Sequence, residues 1–174
     1  MRQPTVRPTG TERFFSEDEI IVSKTDAKGR VTYANRTFLE ISGFTEEEIL
    51  GQPHSIIRHP DMPRCVFHLL WETIKQGREI FAYVINMSKN GDHYWVFAHV
   101  TPTLDPYGHI LGYHSNRRVP ERKQVELFAS IYQTLLSEEQ KYPDWHAGMQ
   151  ASAEMLKKTI AARGMQYEEF VFSV

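Results

Sequence analysis

The chain has a single cysteine, Cys65, in 174 residues. That excludes an internal disulfide and a cysteine-based metal cluster. Long apolar runs are also missing. No stretch approaches the ~20 residues of a membrane-spanning helix, and no charged-then-apolar leader opens the sequence. Charge of neither sign dominates: 20 Lys and Arg face 22 Asp and Glu, for a formal net charge of -2. That balance gives no electrostatic case for binding nucleic acid or an anionic membrane. Phosphate-cradling loops, the dinucleotide glycine fingerprint and the nucleophile elbow are absent too. His54 and His59 lie five apart across a proline-bearing loop, unlike the four-residue helical spacing of a His-Glu-x-x-His zinc site. These absences point away from an enzyme and toward a cytoplasmic binding or signalling protein.

What is present is ordinary in bulk and unusual in one place. Apolar residues make up 41% and charged residues 24%, as in soluble globular domains. The length suits one domain with some extension. The unusual place is Gly51-Gln52-Pro53-His54-Ser55-Ile56-Ile57-Arg58-His59-Pro60-Asp61-Met62-Pro63. It gathers imidazoles, a guanidinium and a carboxylate that are costly to bury unpaired. Its prolines stiffen the backbone and bias the preceding residues toward extended conformations. A rigid, polar, His-rich loop of this kind suits the rim or floor of a ligand pocket.

Periodicity supplies the coarse structure. Ile20 to Lys24 and Val31 to Tyr33, joined through Lys28-Gly29, predict a hairpin. Asn35 to Ser42 predicts a short helix stopped by Gly43. Thr45 and Glu48 form a capping box that opens another short helix, ended by Gly51. Arg64 to Gln76 carries a helical apolar face closed by Gly77. Three strand-like runs follow, Ile80 to Ser88, His93 to Leu104 and His109 to Arg118, with turns at Asn90-Gly91 and Pro106-Tyr107-Gly108. Two strands, small helices and three antiparallel strands make an α+β order, closing as a five-stranded antiparallel sheet with helices on one face. Residues 1–19 read as a lead-in, mobile over its first ten, and 20–120 as the domain. Residues 121–174 read as a C-terminal helical extension.

Three blocks carry a family resemblance: Thr25-Asp26-Ala27-Lys28-Gly29-Arg30-Val31-Thr32-Tyr33-Ala34-Asn35, then the His-rich loop, then Lys89-Asn90-Gly91-Asp92-His93-Tyr94-Trp95. In this order and spacing they resemble a PAS sensor domain over about residues 20 to 118. The strings GQPH, RHPDMP and KNGDHYW are most similar to the aerotaxis-receptor branch, whose sensors hold non-covalent FAD and report redox or oxygen status. The resemblance implies a pocket built from Asn35, His54, Arg58, His59, Asp61, Trp71, Asn86 and Trp95. A flavin needs an apolar slot, an amide such as Asn86 for its polar edge, and cations for its diphosphate. Arg58 and a protonated His59 would be those cations, with Asp61 orienting one of them. The family's Pro-Trp pair after the long helix is replaced here by Gly77-Arg78-Glu79-Ile80-Phe81, which leaves Phe81 as the aromatic at that place.

The resemblance leaves three functions open. The first is redox or oxygen sensing through FAD, relayed to a signalling partner. The second is gas sensing through haem b, ligated by one of His54, His59, His68, His99 or His114. The third is a cofactor-free dimerisation or interaction module. A cysteine–flavin photoadduct is set aside, because the photoreceptor branch's cysteine position falls on His54 and Cys65 comes eleven residues later. Beyond Pro120, Val125, Phe128, Ile131, Tyr132 and Leu135 draw one apolar stripe. Tyr142-Pro143-Asp144 interrupts it, and Met149 to Arg163 forms a second amphipathic helix. The aromatic end, with Phe170 and Phe172, is expected to pack on its own helices or sheet, on a second chain, or on a partner.

Overall fold

The computed structural model describes residues 6–174. Strands β1 (Ile21–Asp26), β2 (Val31–Ala34), β3 (Ile80–Met87), β4 (His93–Leu104) and β5 (Ile110–Arg118) form one antiparallel sheet. Their order is β2-β1-β5-β4-β3, the five-stranded α+β arrangement expected from the sequence. Helices α1 (Arg36–Ser42), α2 (Glu46–Ile49) and α3 (Arg64–Lys75), with a 3₁₀ turn at His54–Ile57, connect β2 to β3. Helices α4 (Arg122–Glu139), α5 (Trp145–Ala161) and α6 (Tyr167–Ser173) form the C-terminal extension.

Local chemistry sets these boundaries. Asn35 caps α1 by accepting the Phe38 N–H, and Gly43 ends that helix at φ 74°. Thr45 and Glu48 make both hydrogen bonds of the capping box. Helix α5 starts at Trp145, earlier than the apolar period suggests. The Asp144 carboxylate accepts the His146 and Ala147 N–H groups, so the segment read as an interruption is an N-cap.

Strand alternation divides the side chains between two faces. Ser23, Thr25, Val84, Asn86, Ala98, Val100, Tyr113, Ser115 and Arg117 point to the inner face, toward α3 and the 3₁₀ turn. Phe81, Tyr83, Trp95, Phe97 and His99 point to the outer face, where the extension covers them. Tyr83 stacks on Phe128 at 4.3 Å, Trp95 on Tyr132 at 6.1 Å, and Phe172 meets the edge of Phe81 at 4.7 Å. The Tyr132 hydroxyl donates to the Tyr83 carbonyl at 2.5 Å, and that of Tyr167 to the Phe81 carbonyl at 3.0 Å. These bonds occupy main-chain acceptors of β3, which lies at the edge of the sheet.

The extension also grips the inner layer. Glu139, at the end of α4, accepts the Cys65 N–H at 3.1 Å and the Ser152 hydroxyl at 2.9 Å. It thereby caps α3, which has no capping side chain of its own. Helices α4 and α5 cross closely here, since a Cβ on Gly148 would lie 2.5 Å from the Glu139 carbonyl oxygen. The lead-in touches the domain and the extension. Thr9 N–H donates to the Gly91 carbonyl, Arg13 N–H to that of His93, and Arg122 pairs with Glu12. Residues 1–5, expected to be mobile, lie outside the described residues.

Candidate functional site

The inner face of the sheet, the 3₁₀ turn and α3 enclose a cavity of about 740 Å³, within the ~300–1,000 Å³ of small-molecule sites. Its floor is polar. Arg117 is 2% exposed, and no carboxylate pairs with it among the described residues. One of its terminal nitrogens, Nη2, donates to Ser23 Oγ, and its guanidinium lies 5.0 Å from the centre of the Phe38 ring. Its Nε and Nη1 have no hydrogen-bond partner among the described residues, and neither do Asn86 Oδ1 and Thr25 Oγ1. Burial pushes Arg117 down to about 10, so it remains a cation at neutral pH. Buried donors and acceptors are normally satisfied, so orphans gathered at one cavity mark a place for a polar ligand.

His54 joins this floor, its Nε2 lying 2.9 Å from Ser23 Oγ. Burial, followed by the Arg117 charge, pushes its pKa down to about 3, so the ring is neutral. Because Arg117 already donates to Ser23 Oγ, the hydroxyl proton is free to reach His54 Nε2. The result is a relay from guanidinium to hydroxyl to imidazole. The lining is rich in cations: Lys28, Arg58, Arg64 and Lys75 all border the cavity, with Glu72 as the acid among them. Arg58 lies 4.1 Å from the centre of the Phe67 ring, and burial lowers its pKa. Trp71 meets Tyr113 edge-on at 5.4 Å and crowds Gly29, where an added Cβ would lie 2.9 Å from the indole.

Of the residues proposed from sequence, His54, Arg58, Trp71 and Asn86 line this cavity. The others are placed elsewhere. Asn35 is consumed by structure: its carbonyl oxygen accepts the Val22 and Phe38 N–H groups, and its amide donates to Ile20. His59 is buried beside His93, its Nδ1 accepting the Asp61 N–H. Burial lowers its pKa, so it is not the protonated phosphate cation expected. Asp61 lies by His59 rather than by Arg58, its carboxylate 3.8 Å from Nδ1. Phe81 and Trp95 stand on the outer face under the extension, because strand alternation turns them away from the cavity. His99 stacks on Phe81, also on the outer face, and His114 bonds Asn116. Among the haem-ligand candidates, only His54 and His68 line the cavity.

Sequence reasoning missed Ser23, Thr25, Arg64, Arg117, Trp145 and Met149, which all line it. One signal was available for Arg117. In a strand, adjacent Arg117 and Arg118 must face opposite sides of the sheet, so one of the two is turned toward the inner face.

An antiparallel sheet holding a cavity beneath short helices is the arrangement that the sequence resemblance implies. Residues 31–117 match the family described as PAS fold, and the chain belongs to that family. It is 40% identical over 121 residues to the aerotaxis receptor of Escherichia coli (strain K12), covering 70% of this chain and 24% of that protein. It is 29% identical over 99 residues to a nitrogen fixation regulatory protein of Klebsiella pneumoniae, covering 57% of this chain and 20% of that one. The chain thus spans a quarter or less of these relatives. Among solved structures, the light state of the blue-light photoreceptor Aureochrome1 LOV superposes with a TM-score of 0.57 at 22% identity. That match covers 62% of this chain and 86% of the photoreceptor chain, and it speaks to the fold.

Proposed function

We propose that this chain is a redox sensor that holds FAD in the cavity and passes its state to a signalling partner. The observation that carries the proposal is the set of buried polar atoms, Arg117 Nε and Nη1, Asn86 Oδ1 and Thr25 Oγ1, that lack partners around one cavity. A flavin supplies reversible electron transfer, and its ring gains protons or negative charge on reduction. The residues suit that chemistry. Asn86 Oδ1 would accept an N–H from the polar edge of the ring, and Arg117 would set a fixed positive charge beside it. The Ser23 hydroxyl, hydrogen-bonded to His54 Nε2, can turn its proton toward a bound ligand instead. Arg58 and Arg64 suit a diphosphate as bidentate donors.

Haem is the weaker reading. His54 already engages its Nε2 with Ser23 and sits beside a cation, which leaves His68 as the candidate ligand. A cofactor-free module has no use for orphaned polar atoms in its core. The deciding measurement is the absorption spectrum of the purified chain, with reconstitution by added FAD. Bands near roughly 370 and 450 nm are expected. A Soret band would replace the flavin reading with haem, and a colourless protein that takes up no flavin would end both.

A further inference from the structure

The PAS segment does not close the cavity alone. Its mouth is completed by α5, which follows the residues matching the family. Trp145 opens that helix and Met149 lies one turn further on, so the two share a face. Both line the cavity beside Arg64. The Arg64 guanidinium lies 5.7 Å from the centre of the Trp145 ring, and the His146 ring stacks against the same indole. Trp145 nonetheless remains 49% exposed. The clasp of Glu139 on Cys65 and Ser152, with the close crossing at Gly148, fixes α5 against α3 and so fixes these two side chains at the opening.

The lining therefore offers three kinds of surface. The sheet offers polar groups and one buried cation, the 3₁₀ turn and α3 add further cations, and α5 adds an aromatic ring and a thioether beside Arg64. A ligand matching all three has a flat polar end, an anionic middle and a second flat end. We infer that α5 forms the outer wall of the ligand site, and that Trp145 and Met149 hold the purine end of a flavin dinucleotide. This rests on the flavin reading above and extends it to the C-terminal helices. A mononucleotide would finish at these cations and leave α5 untouched. By linkage, whatever free energy the purine gains from α5 also holds α5 against the domain, so occupancy and docking of the extension reinforce each other.

The test titrates the full chain with FAD and with FMN, following the bound fraction by equilibrium dialysis. Wild type should prefer FAD, and Trp145→Ala with Met149→Ala should weaken FAD by about 5- to 100-fold, the range for losing base–aromatic stacking. FMN affinity should change by less than about twofold, as expected for contacts confined to the second base. Trp145→Phe, with Met149 kept, should recover most of the FAD affinity, which a merely disrupted helix would not allow. Limited proteolysis supplies the reciprocal readout: FAD should protect α5 and FMN should not. An equal loss for both flavins, or no loss for either, overturns the inference while leaving the flavin reading intact. A wild-type chain that binds neither flavin overturns both.

Discussion

Replacing Arg117 by methionine should make the empty protein more stable and the ligand-bound protein weaker. The guanidinium is 2% exposed, and its recorded contacts are Ser23 Oγ and the Phe38 ring. Its pKa falls from 12.5 to about 10 on burial. At about 1.36 kcal/mol for each tenfold change in proton affinity, the folded state disfavours the charge by about 3 kcal/mol. Losing the Ser23 hydrogen bond and the cation–π contact gives back about 1–2 kcal/mol. The net is a gain of about 1–2 kcal/mol, or about 3–6 °C in melting temperature for a chain of this length. Ligand affinity should move the other way, because a lost charge-assisted hydrogen bond costs about 1.5–3 kcal/mol, tenfold or more. Thermal melts of flavin-stripped protein and flavin titrations of the same variant measure the two signs. A variant that melts lower and binds flavin as wild type would make Arg117 a structural residue and refute the argument.

The fold was legible because its signals are local. The Thr45–Glu48 capping box, the Gly43 stop and the alternating runs of β3 to β5 all act within a few residues. The site was less legible because facing is decided by register. Phe81 and Trp95 are the large aromatics a ring-binding pocket invites, yet alternation puts them with Tyr83 under α4 and α6. Asn35 offers the right amide, yet the turn before α1 needs that amide for the Val22 and Phe38 N–H groups. Arg117 was passed over because a cation on a strand ordinarily lies outside, and only the pairing of β5 between β1 and β4 fixes it inside. Trp145 and Met149 come from a helix whose docking depends on Glu139 reaching Cys65, 74 residues apart in the chain. No local pattern encodes a contact of that range.

The remaining predictions concern the clasp, the extension and pH. Glu139→Ala strips acceptors from the Cys65 N–H and the Ser152 hydroxyl and should cost about 2–3 kcal/mol, whereas Glu139→Gln should recover part of it; equal melting of Ala and wild type would dismiss the clasp. Deleting residues 165–174 removes the buried Phe170 and Val171 and should cost about 3–6 kcal/mol; an unchanged melting temperature would mean α6 contributes nothing to the fold. The pH prediction follows from His54, whose pKa falls from 6.5 to about 3 on folding. Between those values the unfolded chain binds a proton that the folded chain does not, so stability should fall as pH falls through that window. The slope from this one group reaches about 1.4 kcal/mol per pH unit. His59 is also lowered by burial and adds a loss of the same sign. The carboxylates whose pKa values are lowered start from ordinary values of 3.8 to 4.5, so the range from pH 6.5 to 4.5 belongs mainly to these two histidines. Melting temperatures of wild type and His54→Asn across that range should diverge, with the variant keeping the shallower acid slope. Parallel slopes would mean that His54 is solvated or charged in the folded protein, and the neutral relay through Ser23 would go with it.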